Sequence, residues 1–138
     1  MTEERRSLAV EREFPHPPER IWRALTQPHL IAEWLMECDF APVAGHRCQL
    51  RFDWGAVDCE VRVVQPHRCL SYTWNSGDLE SVVTWTLAAT RTGTLLRVEQ
   101  IGFKPDQPRY FHGARMGWSR FLDQIGEVLA RMDGDVEP

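Results

Sequence analysis

The sequence predicts one α+β domain in which a curved antiparallel sheet closes around a long C-terminal helix. Apolar and polar residues alternate in successive stretches across residues 46–103, which is the period-two pattern of β-strands. Across residues 118–132 the apolar residues instead recur every three or four positions, as they do on one face of a helix. A chain of 138 residues can bury one such core but not two, so residues 1–138 are interpreted as a single domain.

The predicted domain begins with a strand and two short helices. Residues 7–14 alternate as a strand does, and Arg12 falls on the inward side with the apolar residues. Prolines then end the strand, and because proline suits the first turn of a helix, residues 18–25 and 28–35 are predicted as short helices. Two helical turns are not stable alone, so both helices should pack against the sheet.

The sheet itself is predicted to be an antiparallel meander. Turn-forming residues separate its strands at Gly55 and Ala56, Pro66 and His67, residues 75–78, and Thr92 and Gly93. The alternation directs a set of large apolar residues to the inner face: Phe52, Trp54, Val61, Tyr72, Trp74, Val83, Trp85 and Val98. Leu95, Ile101 and Phe103 have the opposite parity, which leaves the buried face of the last strand open.

The long helix is predicted over residues 118–132, after a loop at residues 104–108, with Trp118 in its first turn. Gly113 and Gly117 precede it and lower helix stability, whereas the apolar stripe from Phe121 onward is denser. We therefore predict that Trp118 is a partly exposed residue that closes a ligand space and matters less to folding than Phe121 does. Glycine should end the helix near Gly134, followed by a frayed tail at residues 135–138.

Composition and charge exclude several classes of protein. Hydrophobic residues make up 43% of the chain and charged residues 26%, which is typical of a globular domain. The net charge of −4 argues against a nucleic-acid partner, because such proteins usually present a basic face. No apolar run approaches the roughly 20 residues of a membrane span, and the charged first thirteen residues do not resemble a signal peptide. We expect a cytoplasmic monomer or homodimer without membrane insertion.

The potential metal-ligating and nucleophilic residues show no diagnostic spacing. Five histidines lie mostly beside proline or glycine, where solvent-exposed positions are expected. Four cysteines are interpreted as small apolar residues that stay reduced: Cys38, Cys48, Cys59 and Cys69. No nucleophile elbow or phosphate loop occurs. The sequence therefore predicts no metal, no cofactor and no assigned catalytic residue.

Several local strings resemble a known family. Residues 12–15 read Arg-Glu-Phe-Pro, and residues 18–28 read Pro-Glu-Arg-Ile-Trp-Arg-Ala-Leu-Thr-Gln-Pro, followed by Trp34. Shorter matches are residues 61–66, Leu-Ser-Tyr-Thr-Trp at residues 70–74, and Gly93-Thr94, Gly102-Phe103 and Gly117-Trp118. Together with the order of elements, these strings are similar to the activator of Hsp90 ATPase homologue 1-like (AHSA1-like) family of the START-like, or SRPBCC, superfamily.

The resemblance implies a helix-grip fold with an internal cavity, but no particular reaction. Where many relatives have Thr-His-Ser-Gly-Phe, this chain has Glu-Gln-Ile-Gly-Phe at residues 99–103. Any role of that histidine in relatives therefore cannot be transferred to Gln100. The eukaryotic Hsp90 activators carry an additional N-terminal domain for which this sequence has no room, which argues against stimulation of the chaperone.

The favoured function is binding of a small hydrophobic molecule, such as a lipid, between the sheet and the C-terminal helix, in a regulatory or stress-related role. Tryptophan rings supply large apolar area for such a site. Arg12 and Gln100 are the inward polar candidates, which either anchor a ligand or pair within the protein. The predicted ligand-binding residues are Arg12, Trp34, Phe52, Trp54, Val61, Tyr72, Trp74, Val83, Trp85, Val98, Gln100, Trp118, Phe121 and Leu122.

Two alternatives of other classes stay open. A cyclase- or hydratase-type enzyme would need an ionisable pair in the cavity, for which the candidates are Tyr72, Glu99, Tyr110 and His112. A co-chaperone-like interaction module, with Hsp90 as a possible partner, would instead show an exposed apolar patch in place of a hollow interior.

Overall fold

Six antiparallel strands and three helices make up the computed structural model, which describes residues 6–134. The strands are β1 (Arg6–Phe14), β2 (Arg47–Phe52), β3 (Gly55–Gln65), β4 (Cys69–Ser76), β5 (Leu79–Ala89) and β6 (Thr94–Phe103). The helices are α1 (Pro18–Thr26), α2 (Pro28–Trp34) and α3 (Pro108–Gly134). The predicted frayed tail lies outside the described residues. The predicted α+β helix-grip fold is confirmed.

The sheet order is β1-β6-β5-β4-β3-β2, so five strands form a meander and β1 joins it beside β6. Along β3, β5 and β6, alternating residues are buried, and they form one hydrophobic core with residues of the three helices. The second half of α3 contributes Leu122, Ile125, Val128 and Leu129, all essentially inaccessible to solvent. Burying each such side chain stabilises the fold by about 1.5–3 kcal/mol. This half of the helix is therefore firmly fixed to the sheet.

The two short helices follow each other without a loop, and each begins with a proline in its first turn. Gln27 ends α1 and begins α2 in an extended conformation, which redirects the chain. The apolar residues predicted to face inward are buried in both helices: Ile21, Trp22, Leu25, Leu30, Ile31 and Trp34. Both helices close one end of the space between α3 and the sheet.

A β-bulge explains the change of parity in β6. Ser7 pairs with Ile101, whereas the preceding Arg6 pairs with Phe103, so β6 has one extra residue at this point. Gly102, at φ 132°, occupies that position, and a Cβ there would lie 2.4 Å from the carbonyl oxygen of Glu80. The bulge turns Phe103 fully inward and leaves Ile101 45% exposed.

Three local predictions from the sequence are wrong. The first hairpin turns at residues 53–54, because Gly55 already pairs with Phe52 as the first residue of β3. His16 is 8% exposed instead of solvated, and its carbonyl accepts a hydrogen bond from the Thr94 hydroxyl at 2.7 Å. The long helix begins at Pro108, ten residues earlier than predicted, which moves Trp118 from the first turn to the third.

Candidate functional site

A cavity of about 630 Å³ lies between the sheet and the first half of α3, residues 108–120. This volume is within the usual range for small-molecule sites. Six of the predicted ligand-binding residues line it: Phe52, Trp54, Trp74, Gln100, Trp118 and Phe121. The cavity therefore brings together six of the fourteen sequence-predicted site residues.

Aromatic rings form the wall of this cavity. The Trp118 ring lies 5.2 Å from Trp74 and 5.6 Å from Phe121, centroid to centroid. Phe52 stacks on Trp54 at 4.9 Å with nearly parallel planes, and Trp54 is 66% exposed at the cavity mouth. These rings offer flat apolar surfaces on which another ring can stack or contact edge to face.

Trp118 itself is 2% exposed, so the predicted partly exposed gate residue is in fact a buried wall residue. Its burial follows from the early start of α3, which places Trp118 opposite the centre of the sheet instead of at a helix end. Its ring also packs edge to face on Trp85 at 5.5 Å. The expectation that Trp118 matters less to folding than the half-buried Phe121 is therefore reversed.

A buried hydrogen-bond chain holds the Trp118 ring in place. The indole Nε1 donates to Gln100 Oε1 at 2.7 Å, and Gln100 Nε2 donates to Ser81 Oγ at 2.9 Å. Ser81 in turn donates to the carbonyl oxygen of Trp74 at 2.6 Å. Gln100 thus satisfies protein groups and orients Trp118, and these two bonds use only one of the two hydrogens of its amide.

Replacing Gln100 with leucine should lower the free energy of unfolding by about 1–3 kcal/mol, because the buried Trp118 indole loses its acceptor. Trp118→Phe alone leaves the Gln100 oxygen without its donor. In the double variant neither group is left unpaired, so its cost should be clearly smaller than the sum of the two single costs. Urea denaturation of the four proteins measures this coupling. Strict additivity would show that the hydrogen bond is absent in solution.

Two glycines of α3 line the cavity between the aromatic walls. A Cβ built on Gly113 or on Gly117 meets nothing within 4 Å. Neither glycine has the positive φ that would require its presence, and each costs a helix about 1 kcal/mol relative to alanine. The helix backbone is thus exposed directly to the cavity, at a cost in stability that the fold does not require.

Polar groups are concentrated at the rim. Arg109 and Arg120 of α3 border the cavity with Tyr110, Ser76 and Gln124. Among the described residues that line it, none is a carboxylate, a histidine or a cysteine. Within residues 6–134, no group of three or more histidine, cysteine, aspartate or glutamate side chains is arranged to hold a metal ion. The lining can therefore bind an apolar molecule and donate hydrogen bonds, but it offers no acid–base pair.

The other eight predicted ligand-binding residues lie outside the cavity lining. Arg12 forms an ion pair with Asp123 of α3, so this guanidinium pairs within the protein. The Trp34 indole donates to the carbonyl of Ala24 at 2.7 Å, and the Trp85 indole donates to the Tyr72 hydroxyl at 2.9 Å. The remaining four are fully buried core residues: Val61, Val83, Val98 and Leu122.

The candidate acid–base residues do not meet. Tyr72 is buried on the far side of Trp85, and burial raises the pKa of its hydroxyl well above the ordinary value. Glu99 interacts with Arg97 on the outer face of the sheet. His112 is exposed on α3, and only Tyr110 borders the cavity.

Three of the four cysteines converge under α2. Cys48 and Cys59 are directly opposite on β2 and β3, and Cys38 hydrogen-bonds to Cys48. For Cys48, the contact with Cys38 lowers the pKa, but the contact with Cys59 and burial outweigh it and raise the pKa to about 12. Contact with Cys48 and burial likewise raise the pKa of Cys38, so the thiols of Cys38 and Cys48 are protonated and weakly nucleophilic at neutral pH.

Sequence reasoning missed most of the helical part of the cavity lining. The missed residues of α3 are Arg109, Gly113, Ala114, Gly117, Arg120 and Gln124, and those missed elsewhere are Leu35, Ser76 and Leu79. Pro108 was a usable signal, since proline favours the first turn of a helix. Phe111, Ala114 and Trp118 also continue the helical spacing upstream.

An antiparallel sheet that closes on a long C-terminal helix around an aromatic cavity defines a helix-grip protein of the START-like class. Residues 15–130 match the family model described as activator of Hsp90 ATPase homolog 1-like protein. The chain belongs to this family. No curated protein matches it.

Solved structures agree with this assignment. The crystal structure of protein MLL2253 from Mesorhizobium loti is 55% identical, with a TM-score of 0.88, over 91% of this chain and 98% of that chain. BH1534 from Bacillus halodurans is 24% identical, with a TM-score of 0.81, over 94% and 99% of the two chains. CalU16 from Micromonospora echinospora is 24% identical, with a TM-score of 0.80, over 91% and 77%. The last two show a likeness of fold alone.

Proposed function

We propose that this protein binds a small hydrophobic molecule in the cavity between the sheet and the first half of α3. The observation that carries the proposal is the pair of glycines, Gly113 and Gly117, in the helical wall of the cavity. Together they cost about 2 kcal/mol of helix stability relative to alanine, and neither backbone geometry nor packing requires them. Their shared effect is to keep space open between the rings.

The aromatic wall supports the same function. Trp118 contacts both Trp74 and Phe121, and Gln100 fixes the Trp118 ring by a hydrogen bond. A preorganised wall of this kind loses little conformational entropy when a ligand binds. The spare N–H of Gln100 would orient a ligand that carries an acceptor oxygen.

Gly117→Ala should stabilise the protein and weaken binding at the same time. The methyl group removes the helix penalty of glycine, which raises the free energy of unfolding by about 0.5–1 kcal/mol. It also occupies cavity space, and overpacking of about 1 kcal/mol corresponds to roughly fivefold weaker binding. The measurements are urea denaturation and titration with N-phenylnaphthylamine, a neutral aromatic probe whose emission rises in apolar surroundings.

Gly126→Ala is the matched control. This glycine lies on the same helix outside the cavity, and a Cβ there would meet the Phe14 ring at 3.2 Å. It should leave probe affinity unchanged whatever its effect on stability. Absence of probe binding by the wild type, or equal affinity for the wild type and Gly117→Ala, would contradict the proposed function.

The two other classes have less support. An acid–base enzyme would need an ionisable pair, whereas the titratable side chains among the described lining residues are two arginines and one tyrosine. A chaperone-docking module would place its apolar surface outside. Val82 and Ile101 form a small exposed apolar pair on the outer face of the sheet, while the large rings of Phe52, Trp74, Trp118 and Phe121 line the cavity.

A further inference from the structure

The first half of α3 is unusually basic for a chain with a net charge of −4. Residues 107–122 contain Arg109, Arg115 and Arg120 and no aspartate or glutamate. Two of these three arginines border the cavity. The mouth of an otherwise apolar cavity is therefore electropositive, and such a field attracts and orients anions.

Neither Arg109 nor Arg120 is needed for pairing within the fold. Among the side chains that the structure describes, no carboxylate lies within 4.0 Å of either guanidinium. Arg12, Arg97 and Arg131, by contrast, each form an ion pair that links two elements of the fold or neighbouring strands. No side chain within the described part of the chain engages the guanidinium donors at the mouth, so these donors are available to a ligand.

The two arginines differ in their surroundings. They are eleven residues apart on α3, about 16 Å along the axis, so one acidic group contacts only one of them. Arg109 also borders a surface depression that contains Asp78, Glu80 and Asp106, which weaken its attraction for an anion. Near Arg120, the carboxylate of Asp123 is already engaged by Arg12. Arg120 is therefore the stronger anion site.

We infer that the ligand of this cavity is an amphipathic organic anion, with its aromatic or other apolar body among the rings and its acidic group on Arg120. The inference rests on the proposed function and specifies its ligand class. A planar guanidinium binds carboxylates and sulfonates through two parallel hydrogen bonds, and such charge-assisted bonds are about twice as strong as neutral ones. The apolar wall supplies affinity, and Arg120 selects the charged ligand.

Two probes with one aromatic skeleton test the inference. Anilinonaphthalene sulfonate carries a sulfonate, and N-phenylnaphthylamine is the same skeleton without it. The wild type should bind the sulfonate more tightly. Arg120→Gln should weaken sulfonate binding about tenfold and change binding of the neutral probe by less than about twofold. Raising the salt concentration should likewise weaken only the sulfonate.

Two matched variants distinguish direct contact between Arg120 and the sulfonate from the general electrostatic attraction of the basic half of α3. Arg115→Gln removes the same charge from the same part of α3 but outside the cavity lining, and Arg109→Gln removes the cavity arginine that has acidic neighbours. Each should weaken sulfonate binding by less than about threefold. Equal losses in all three variants would overturn the assignment of Arg120.

The remaining outcomes are also decisive. Binding of both probes with equal affinity and no effect of Arg120→Gln would overturn the anionic ligand while leaving the proposed function intact. Failure of both probes would overturn the proposed function itself. Sedimentation with anionic phosphatidylglycerol vesicles that depends as strongly on Arg115 as on Arg120 would show that the basic face contacts membranes instead, and would overturn the inference.

Discussion

Trp118→Ala should lower the free energy of unfolding by about 3–5 kcal/mol, the usual cost of truncating a buried tryptophan. The ring is 2% exposed, contacts Trp74, Trp85 and Phe121, and donates the hydrogen bond that satisfies Gln100. Truncation therefore removes packing from three neighbours and leaves a buried acceptor unpaired. Urea denaturation with a fixed slope measures the loss.

Phe121→Ala is the comparison variant. Phe121 contacts Trp34 and Trp118, but it is only partly buried and makes no hydrogen bond through its side chain. Its truncation should cost less than that of Trp118. If Phe121→Ala proves the more destabilising, the first half of α3 does not pack on the sheet as described, and Trp118 is the partly exposed residue that the sequence pattern predicted.

Gly93→Ala should cost about 3 kcal/mol or more, because the substitution overpacks the backbone itself. A Cβ at Gly93 would lie 1.9 Å from the carbonyl oxygen of Phe14 and 2.9 Å from Pro15 Cα. These are main-chain atoms at the end of β1, and no side-chain rotation relieves the contact. The end of β1 would have to separate from β6, where Phe14 pairs with Thr94.

Gly113→Ala provides the control, since its Cβ meets nothing within 4 Å and alanine favours the helix. The same chemical change should therefore destabilise at Gly93 and stabilise at Gly113. Thermal denaturation of the two variants and the wild type measures whether the melting temperature falls for Gly93→Ala and rises for Gly113→Ala. A melting temperature for Gly93→Ala equal to that of the wild type would show that β1 ends differently.

The fold was predictable because a strand or helix that is buried on one face has apolar residues at a regular spacing in the sequence. The strands around Val57, Val83 and Val98 bury every second residue, and α3 buries Leu122, Ile125 and Leu129 at helical spacing. Local turns were less predictable. Trp54 continues the alternation of β2 but lies in the turn, because apolar residues also occur in turns when they can stack, here on Phe52.

The cavity was predictable on its sheet side and, on the helix, only at Trp118 and Phe121. Its helical wall contains Gly113 and Gly117, which keep the cavity open and therefore add no large apolar residue to the sequence pattern. Arg109 and Arg120 resemble ordinary exposed helix residues in the sequence, since only their positions at the cavity mouth distinguish them from Arg115. Residues that line a cavity must leave its space open. Hydrophobic periodicity detects only residues that pack in a core, so it does not identify them.

The pairing of β1 with β6 has a consequence for biosynthesis. Phe14 pairs with Thr94, 80 residues later in the chain, so β1 leaves the ribosome well before β6 and must wait for its partner. At about 5–20 residues per second, that interval is roughly 4–16 s. Glu11 and Glu13 point away from the core along this strand, and charges of this kind discourage pairing with a neighbouring nascent chain. In the folded protein, Glu11 pairs with Arg97 and Glu13 accepts a hydrogen bond from the Thr90 hydroxyl. The charges that discourage wrong pairing during translation therefore help to hold β1 in the finished sheet.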